Sequence, residues 1–142
     1  MGTTNIEIEE IVKKLNISNF RGVIMRDEFV KLKPSLKKES IIYNLQDSNA
    51  GGSHWCAIFK NDNNFFHFCP FGGNPSKEAI EYAMPNKIYT HDYRIQEYDD
   101  KNCAEWCLLF IYLMNIEVMN SHFIPIHLSY SDVILFLTRS DE

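Results

Sequence analysis

The segment that most constrains this chain is Cys103 to Met114, CAEWCLLFIYLM. Its positions Cys103, Trp106, Cys107, Phe110, Ile111 and Met114 fall at i, i+3, i+4, i+7, i+8 and i+11, one face of an α-helical period. That pattern predicts a helix with one buried face. Asn102 is placed to cap it, and Glu105 to reach back to the cap's own N–H, so the helix is expected to begin at Cys103. A thiol in a first helical turn faces unpaired N–H groups and the positive end of the helix dipole, both of which favour thiolate. On this ground alone two readings of Cys103 stand open. It is a reactive thiolate, or it is the first buried residue of a core helix, since free cysteine is among the most buried residue types.

The middle of the chain reads as strands. Glu39 to Leu45 is β-branched and aromatic, and QDSNAGGS after it is turn chemistry. His54 to Lys60 and Phe65 to Cys69, joined by Asn61 to Asn64, predict an antiparallel hairpin. Alternation puts His54, Cys56 and Ile58 on one face of the first strand, and Phe65, His67 and Cys69 on one face of the second. Asn5 to Asn16 predicts a short amphipathic helix, and Phe20 to Phe29 a turn into an extended segment. Ser76 to Ala83 predicts a helix capped by Ser76 with Ala79 at its third position. Lys87 to His91 is a short strand and Tyr93 to Tyr98 a further extended piece. Asn115 to Pro125 reads as a connection, and Leu128 to Leu137 as a last helix capped at Ser129 or Ser131. Strands in the middle with helices at the ends make the fold class α+β, with a central, mostly antiparallel sheet packed on the Cys103 helix.

A chain of 142 residues with 45% hydrophobic and 13% aromatic content is expected to fold as one domain, residues 1–142, with a substantial core. The net charge of −5, with no Lys/Arg run longer than two, lacks the footprint of a nucleic-acid binder. The N-terminus has neither the charged nor the apolar region of a secretory signal, and no apolar run is long enough to span a bilayer. Ile6 stands where a myristoylation pattern would want Ser or Thr, so lipidation is not expected. The four cysteines, Cys56, Cys69, Cys103 and Cys107, lie in hydrophobic segments, which suits a reducing compartment better than a disulfide framework.

A thiol hydrolase needs a nucleophile, an imidazole within hydrogen-bond reach, a group to orient that imidazole, and donors for the oxyanion. Cys103 is the candidate nucleophile, His54 the base, and Gln96 an amide donor upstream of the thiol. The orienting group is expected from a strand beside that of His54, where Cys69 stands. Metal binding is a weaker reading. Two His-x-Cys elements, His54 with Cys56 and His67 with Cys69, lie near Cys103 and Cys107, but structural zinc favours cysteine knuckles on turns over thiols along a helix, and no metal is expected. His67 reads as an ordinary strand residue, and His91, His122 and His127 as surface or loop residues.

In order along the chain stand Gly52-Ser53-His54-Trp55, then Phe68-Cys69-Pro70-Phe71-Gly72, then Gln96 followed by Cys103-Ala104-Glu105-Trp106-Cys107. Together with FRGVIMRDEF and IIYNLQ ahead of them, these resemble the adenovirus maturation protease and its relatives in virophages and Polinton/Maverick elements, from about Phe20 to Met114. More distantly, the order His, acid, Gln, Cys is shared with proteases that process ubiquitin-like modifiers. The resemblance implies a papain-like, adenain-like cysteine endopeptidase that cleaves capsid and other structural precursors after glycine, acting in the virion or in the host-cell cytoplasm or nucleus. In that picture His54 is the general base, Cys103 attacks the scissile carbonyl, and Gln96 with the Cys103 N–H forms the oxyanion hole. Gly52 and Trp55 would line the substrate groove, Trp55 narrowing it to suit glycine; as a plain pattern, Trp55 is equally a core strand aromatic.

Two residues depart from the family pattern. Ala104 replaces a glycine after the nucleophile, which a helical first turn accommodates. Cys69 replaces the Asp or Glu, and a neutral thiol is a weak acceptor that does not stabilise an imidazolium as a carboxylate does. Three explanations stand: poorer orientation of His54 in a slower enzyme, loss of the acid in an inactive relative that binds glycine-containing tails or a modifier protein, or an altered position. The adenovirus enzyme is activated by a peptide and by DNA. The acidic charge balance gives DNA no track here, no cofactor is expected, and a monomer is the simplest expectation.

Overall fold

The computed structural model describes residues 4–45, 54–91, 103–120 and 133–135, the last turn of the long helix (117–120) by its backbone alone. Helix α1, Asn5–Leu15, starts where Thr4 Oγ1 accepts the Glu7 N–H and the Glu7 carboxylate takes the Thr4 N–H, a reciprocal cap. It ends at Asn16 in the left-handed region, φ 55°.

Strand β1 is Phe20–Met25 and β2 is Lys38–Asn44; between them Arg26–Leu32 forms a 3₁₀ helix. The expected extended segment thus stops at Met25, because the Glu28 carboxylate bonds the Met25 N–H at 2.7 Å and turns the chain. Strands β3, Trp55–Asn61, and β4, Asn64–Phe68, form the expected hairpin, with Asp62 at φ 56° in its turn. Helix α2, Lys77–Ala83, has the expected Ser76 cap, its Oγ accepting the Ala79 N–H at 3.1 Å. Strand β5 is Ile88–Tyr89, and helix α3 is Cys103–Asn120.

The five strands run in the order β1-β2-β3-β4-β5. The central pairings β2/β3 and β3/β4 are antiparallel, while the edge pairings β1/β2 and β4/β5 are parallel. The fold is α+β, but the sheet is mixed rather than mostly antiparallel. The chain reaches β2 through the 3₁₀ helix and β5 through α2, and such crossovers return it in the same direction.

The β3/β4 register pairs Ile58 with His67 and Ala57 with Phe68, so Cys56 and Ile58 share one face of the sheet with Phe65, His67 and Cys69, while His54 precedes the strand. That face is covered by Phe29 of the 3₁₀ helix and Tyr82 of α2, which pack on Tyr43 and Phe65. The opposite face is covered by α3, whose Phe110 stacks on Phe68 at 4.9 Å, and α1 lies against α3 and β1. Ala104 and Leu108 are buried as well as Cys103, Cys107, Phe110, Ile111 and Met114 of the predicted stripe, with Trp106 partly buried, so α3 is apolar around much of its girth and packs between layers. It also runs on through the expected connection at Asn115 to Asn120, a stretch with no Gly or Pro to stop it. Of the last predicted helix, residues 133–135 are helical with Val133 and Ile134 buried, and the rest lies outside the described residues, as does the piece expected at Tyr93 to Tyr98. Among the described residues, no helix is long and apolar enough to cross a membrane.

Polar groups are locked into the covered face. Tyr43 Oη lies 2.7 Å from His67 Nε2 and accepts the Ser76 N–H at 3.2 Å, so the hydroxyl proton is directed to the imidazole. Burial holds His67 neutral, its pKa pushed down from 6.5 to about 3. The folded state therefore resists a proton that the unfolded chain accepts. The stability this contributes is complete above pH 6.5 and is lost as pH falls towards about 3. Urea unfolding across that range is expected to show a loss of up to about 1.4 kcal/mol per pH unit from this group. His67→Gln, which keeps an acceptor for Tyr43 but cannot ionise, should flatten the dependence.

Candidate active site

Helix α3 begins at Cys103 as the spacing predicts, and its first turn docks on a single peptide unit at the start of β3. The Cys107 S–H donates to the Trp55 carbonyl at 3.3 Å, and the Trp55 N–H points at the Cys103 sulfur. Thiols at i and i+4 thus grip both sides of one residue. That residue is the neighbour of His54, so the grip brings the helix tip to the end of the strand that carries the imidazole. The His54 carbonyl accepts the Leu45 N–H at 3.0 Å, fixing its backbone against the end of β2.

The electrostatics of Cys103 differ from the sequence expectation. Burial pushes its thiol up from the usual value; the N–H groups of Trp55 and Ala104 pull it down, and the Glu105 carboxylate pushes it up again. The helix start acts in the expected direction, but at 2% exposure loss of hydration outweighs it. At neutral pH the Cys103 side chain is therefore a protonated thiol.

Cys69 shows the reverse balance. Its sulfur accepts the S–H of Cys56 and the backbone N–H groups of Phe71, Gly72 and Gly73, which together outweigh burial and lower its pKa from 9.0 to about 6. Cys56, wholly buried and donating, keeps its proton and is pushed well up. The register that pairs Ala57 with Phe68 continues to these two cysteines, which explains their meeting. The Cys69 carbonyl accepts the Gly72 N–H at 2.9 Å to close a turn, and Gly72 takes a φ of 74°. With its folded pKa depressed, Cys69 contributes stability that is present above the unfolded value near 9.0 and is lost as pH falls through about 6. Cys69→Ala is expected to abolish that rise in stability between pH 6 and 9, read by urea unfolding at several pH values against the native protein.

The His54 ring packs on an aromatic neighbour. The His54 ring meets the Phe71 ring at 4.8 Å and 84°, and its Nδ1 is buried with no hydrogen-bond partner among the described residues. Cys69 gives its N–H to His91 Nε2 at 3.1 Å, and His91, in the loop after β5, stacks on Phe68 at the end of the hairpin. Trp55 is 7% exposed, which fits a core strand aromatic, while its backbone does the docking. Gln96, Gly52 and the expected cap Asn102 lie outside the described residues.

The sequence groups His54, Trp55, Cys69 and Cys103 as candidate site residues, and the structure adds Phe71 beside His54 and Cys56 and His91 beside Cys69. Cys56 is legible in principle, since extending the hairpin register sets it opposite Cys69. Phe71 carries no sequence signal beyond the motif that ends the strand. None of the four cysteines is in a disulfide. Among the described residues no three His, Cys, Asp or Glu side chains are placed to hold a metal: His67 is engaged by Tyr43, and Cys56 by Cys69.

The fold defines an α+β protein with a thiol-bearing helix docked at the end of a mixed sheet. No family model matches the sequence. The chain is similar to uncharacterized protein V9 of Sputnik virophage, 25% identical over 141 aligned positions that cover 75% of this chain and 81% of that protein. Among solved structures it is similar to the central domain of the uncharacterized Lpg1148 protein from Legionella pneumophila, at 15% identity and a TM-score of 0.42, over 84% of this chain and 75% of that one.

Proposed function

We propose that this chain is a cysteine endopeptidase of the adenovirus maturation type, from a virophage or related element, that cleaves structural precursors after glycine. The observation that carries the reading is the docking of the Cys103 turn on the peptide of Trp55, next to His54. Similarity to a virophage protein supports the viral setting.

In this reading His54 removes the Cys103 proton as the sulfur attacks the carbonyl carbon of a bound glycine. The Cys103 N–H and the Gln96 amide receive the charge that develops on oxygen. The imidazolium then protonates the leaving amine, and water, activated by His54, hydrolyses the thioester. The bound partner is a capsid or other structural precursor, met by a monomer in the virion or the infected host cell. Incubating the protein with peptides that carry Gly-Gly and Gly-Ala junctions, and mapping any cut by mass spectrometry, tests this. Cleavage after glycine that disappears in Cys103→Ala is expected; intact peptides with native, folded protein would sink the proposal.

A second reading is favoured by one observation, the burial of Cys103 together with its raised pKa. In it the cleft binds glycine-containing tails without cutting them. Retention of such a peptide, uncut, by both the native protein and Cys103→Ala would select it.

A further inference from the structure

We propose that His54 is positioned by Phe71, through a turn wound around the Cys69 sulfur, in the place where a thiol peptidase uses a side-chain acid. The proposal rests on the peptidase reading for its catalytic consequence, but its geometry does not. An imidazole has a broad, roughly two-fold freedom about its last torsion, so something must hold the ring if one nitrogen is to face a thiol. A carboxylate does this by accepting the Nδ1 proton. Here Nδ1 finds no acceptor among the described residues, and what touches the ring is the near-perpendicular ring of Phe71 at 4.8 Å. An aromatic partner in that arrangement opposes a flip by shape and by the match of ring edge to ring face.

Phe71 is in turn held by Cys69. The N–H groups of Phe71, Gly72 and Gly73 act on the sulfur, which sits inside the turn that follows it. The approach is close: a Cβ placed on Gly73 would lie 3.5 Å from the sulfur. The Gly72 N–H bond to the Cys69 carbonyl closes the same turn from the backbone side. Cys69 is thus a positioning residue at one remove. Its sulfur serves the turn and the turn serves the ring, which reconciles a thiol at this position with a retained His54.

The test is ¹⁵N NMR of the His54 ring, read as tautomer ratio and titration midpoint, alongside the pH profile of peptide cleavage. Phe71→Ala is expected to shift the His54 tautomer ratio and midpoint and to lower kcat about 10- to 100-fold with KM little changed, consistent with a weakened general base. Phe71→Tyr, which keeps the ring, should restore both. If Phe71→Ala does not fold, Phe71→Leu retains bulk without the aromatic edge and should show the same shift. Cys69→Ala should move the His54 signals in the same sense. His54 signals in folded Phe71→Ala or Phe71→Leu that superimpose on those of the native protein would overturn the proposal. Failure of the peptidase reading looks different: no cleavage by the native protein, with the His54 signals still moved by Phe71→Ala, an outcome that supports the positioning and removes only its catalytic use.

Discussion

Replacing His54 by alanine is expected to slow peptide cleavage by about 10³- to 10⁴-fold while leaving the fold intact. The size follows from the state of the nucleophile. A thiolate already formed by its surroundings would keep much of its reactivity without a base, but burial holds Cys103 as a thiol. In the proposed reaction the proton must therefore leave during attack, and the proposed base is His54, which adjoins the Trp55 peptide that docks the Cys103 turn. The structural cost is small because the His54 ring makes no hydrogen bond from Nδ1 and its chain position is fixed by its backbone. Unfolding by urea should thus place His54→Ala within about 1 kcal/mol of the native protein. A parallel loss of rate and stability would mean that the ring is a packing element only.

The second large effect is on stability. Glu39 is 0% exposed, and its carboxylate takes the Arg21 guanidinium at 2.7 Å, the Tyr82 hydroxyl at 2.5 Å and the Leu36 N–H at 2.8 Å. These bonds tie β1, β2 and α2 together beneath the layer that also holds Tyr43 and His67. Arg21→Ala would leave a buried carboxylate without its counter-ion, and it is expected to destabilise by about 3 kcal/mol. The guanidinium is 21% exposed, which places the effect at the lower end of what such removals cost. Combining Arg21→Met with Glu39→Gln should recover part of the loss, because no unpaired charge is left buried and an amide oxygen still accepts from Tyr82 or the Leu36 N–H. A single variant as stable as the native protein in urea would contradict this account of the buried face.

Several elements were legible from residue order because their causes are local. The hairpin follows from two apolar runs around Asp62 and Asn63, α2 from the Ser76 cap, and the start of α3 from the spacing of Cys103, Trp106 and Cys107. The shared face of Ile58 and His67 follows from alternation alone once the hairpin closes. What was not legible depends on distant partners. The parallel edges arise from crossovers whose return direction is set by packing of the 3₁₀ helix and α2 on Tyr43 and Phe65. Helix α3 outruns its stripe because α1 and the sheet bury it from more than one side.

The site divides the same way. That a thiol heads α3 and an imidazole precedes β3 is written in the sequence. The sign of each thiol's shift is not, because it depends on how burial competes with N–H groups supplied from elsewhere. Cys103 has the helix start and loses to burial; Cys69 has no helix, yet three backbone N–H groups and a neighbouring thiol prevail. A rule that reads reactivity from the helix terminus alone ranks these two in the wrong order of acidity.

That ranking supplies the most direct test of the central claim, that Cys103 and His54 form a working pair. The folded protein is treated with a limiting amount of an electrophilic peptide ending in glycine, and the labelled cysteine is identified by mass spectrometry in the native protein and in His54→Ala. The account predicts labelling at Cys103 ahead of Cys69, Cys56 and Cys107, and loss of that preference without His54, since general-base delivery and not resting acidity decides the rate. Labelling first at Cys69, or at Cys103 with a rate indifferent to His54, would contradict it.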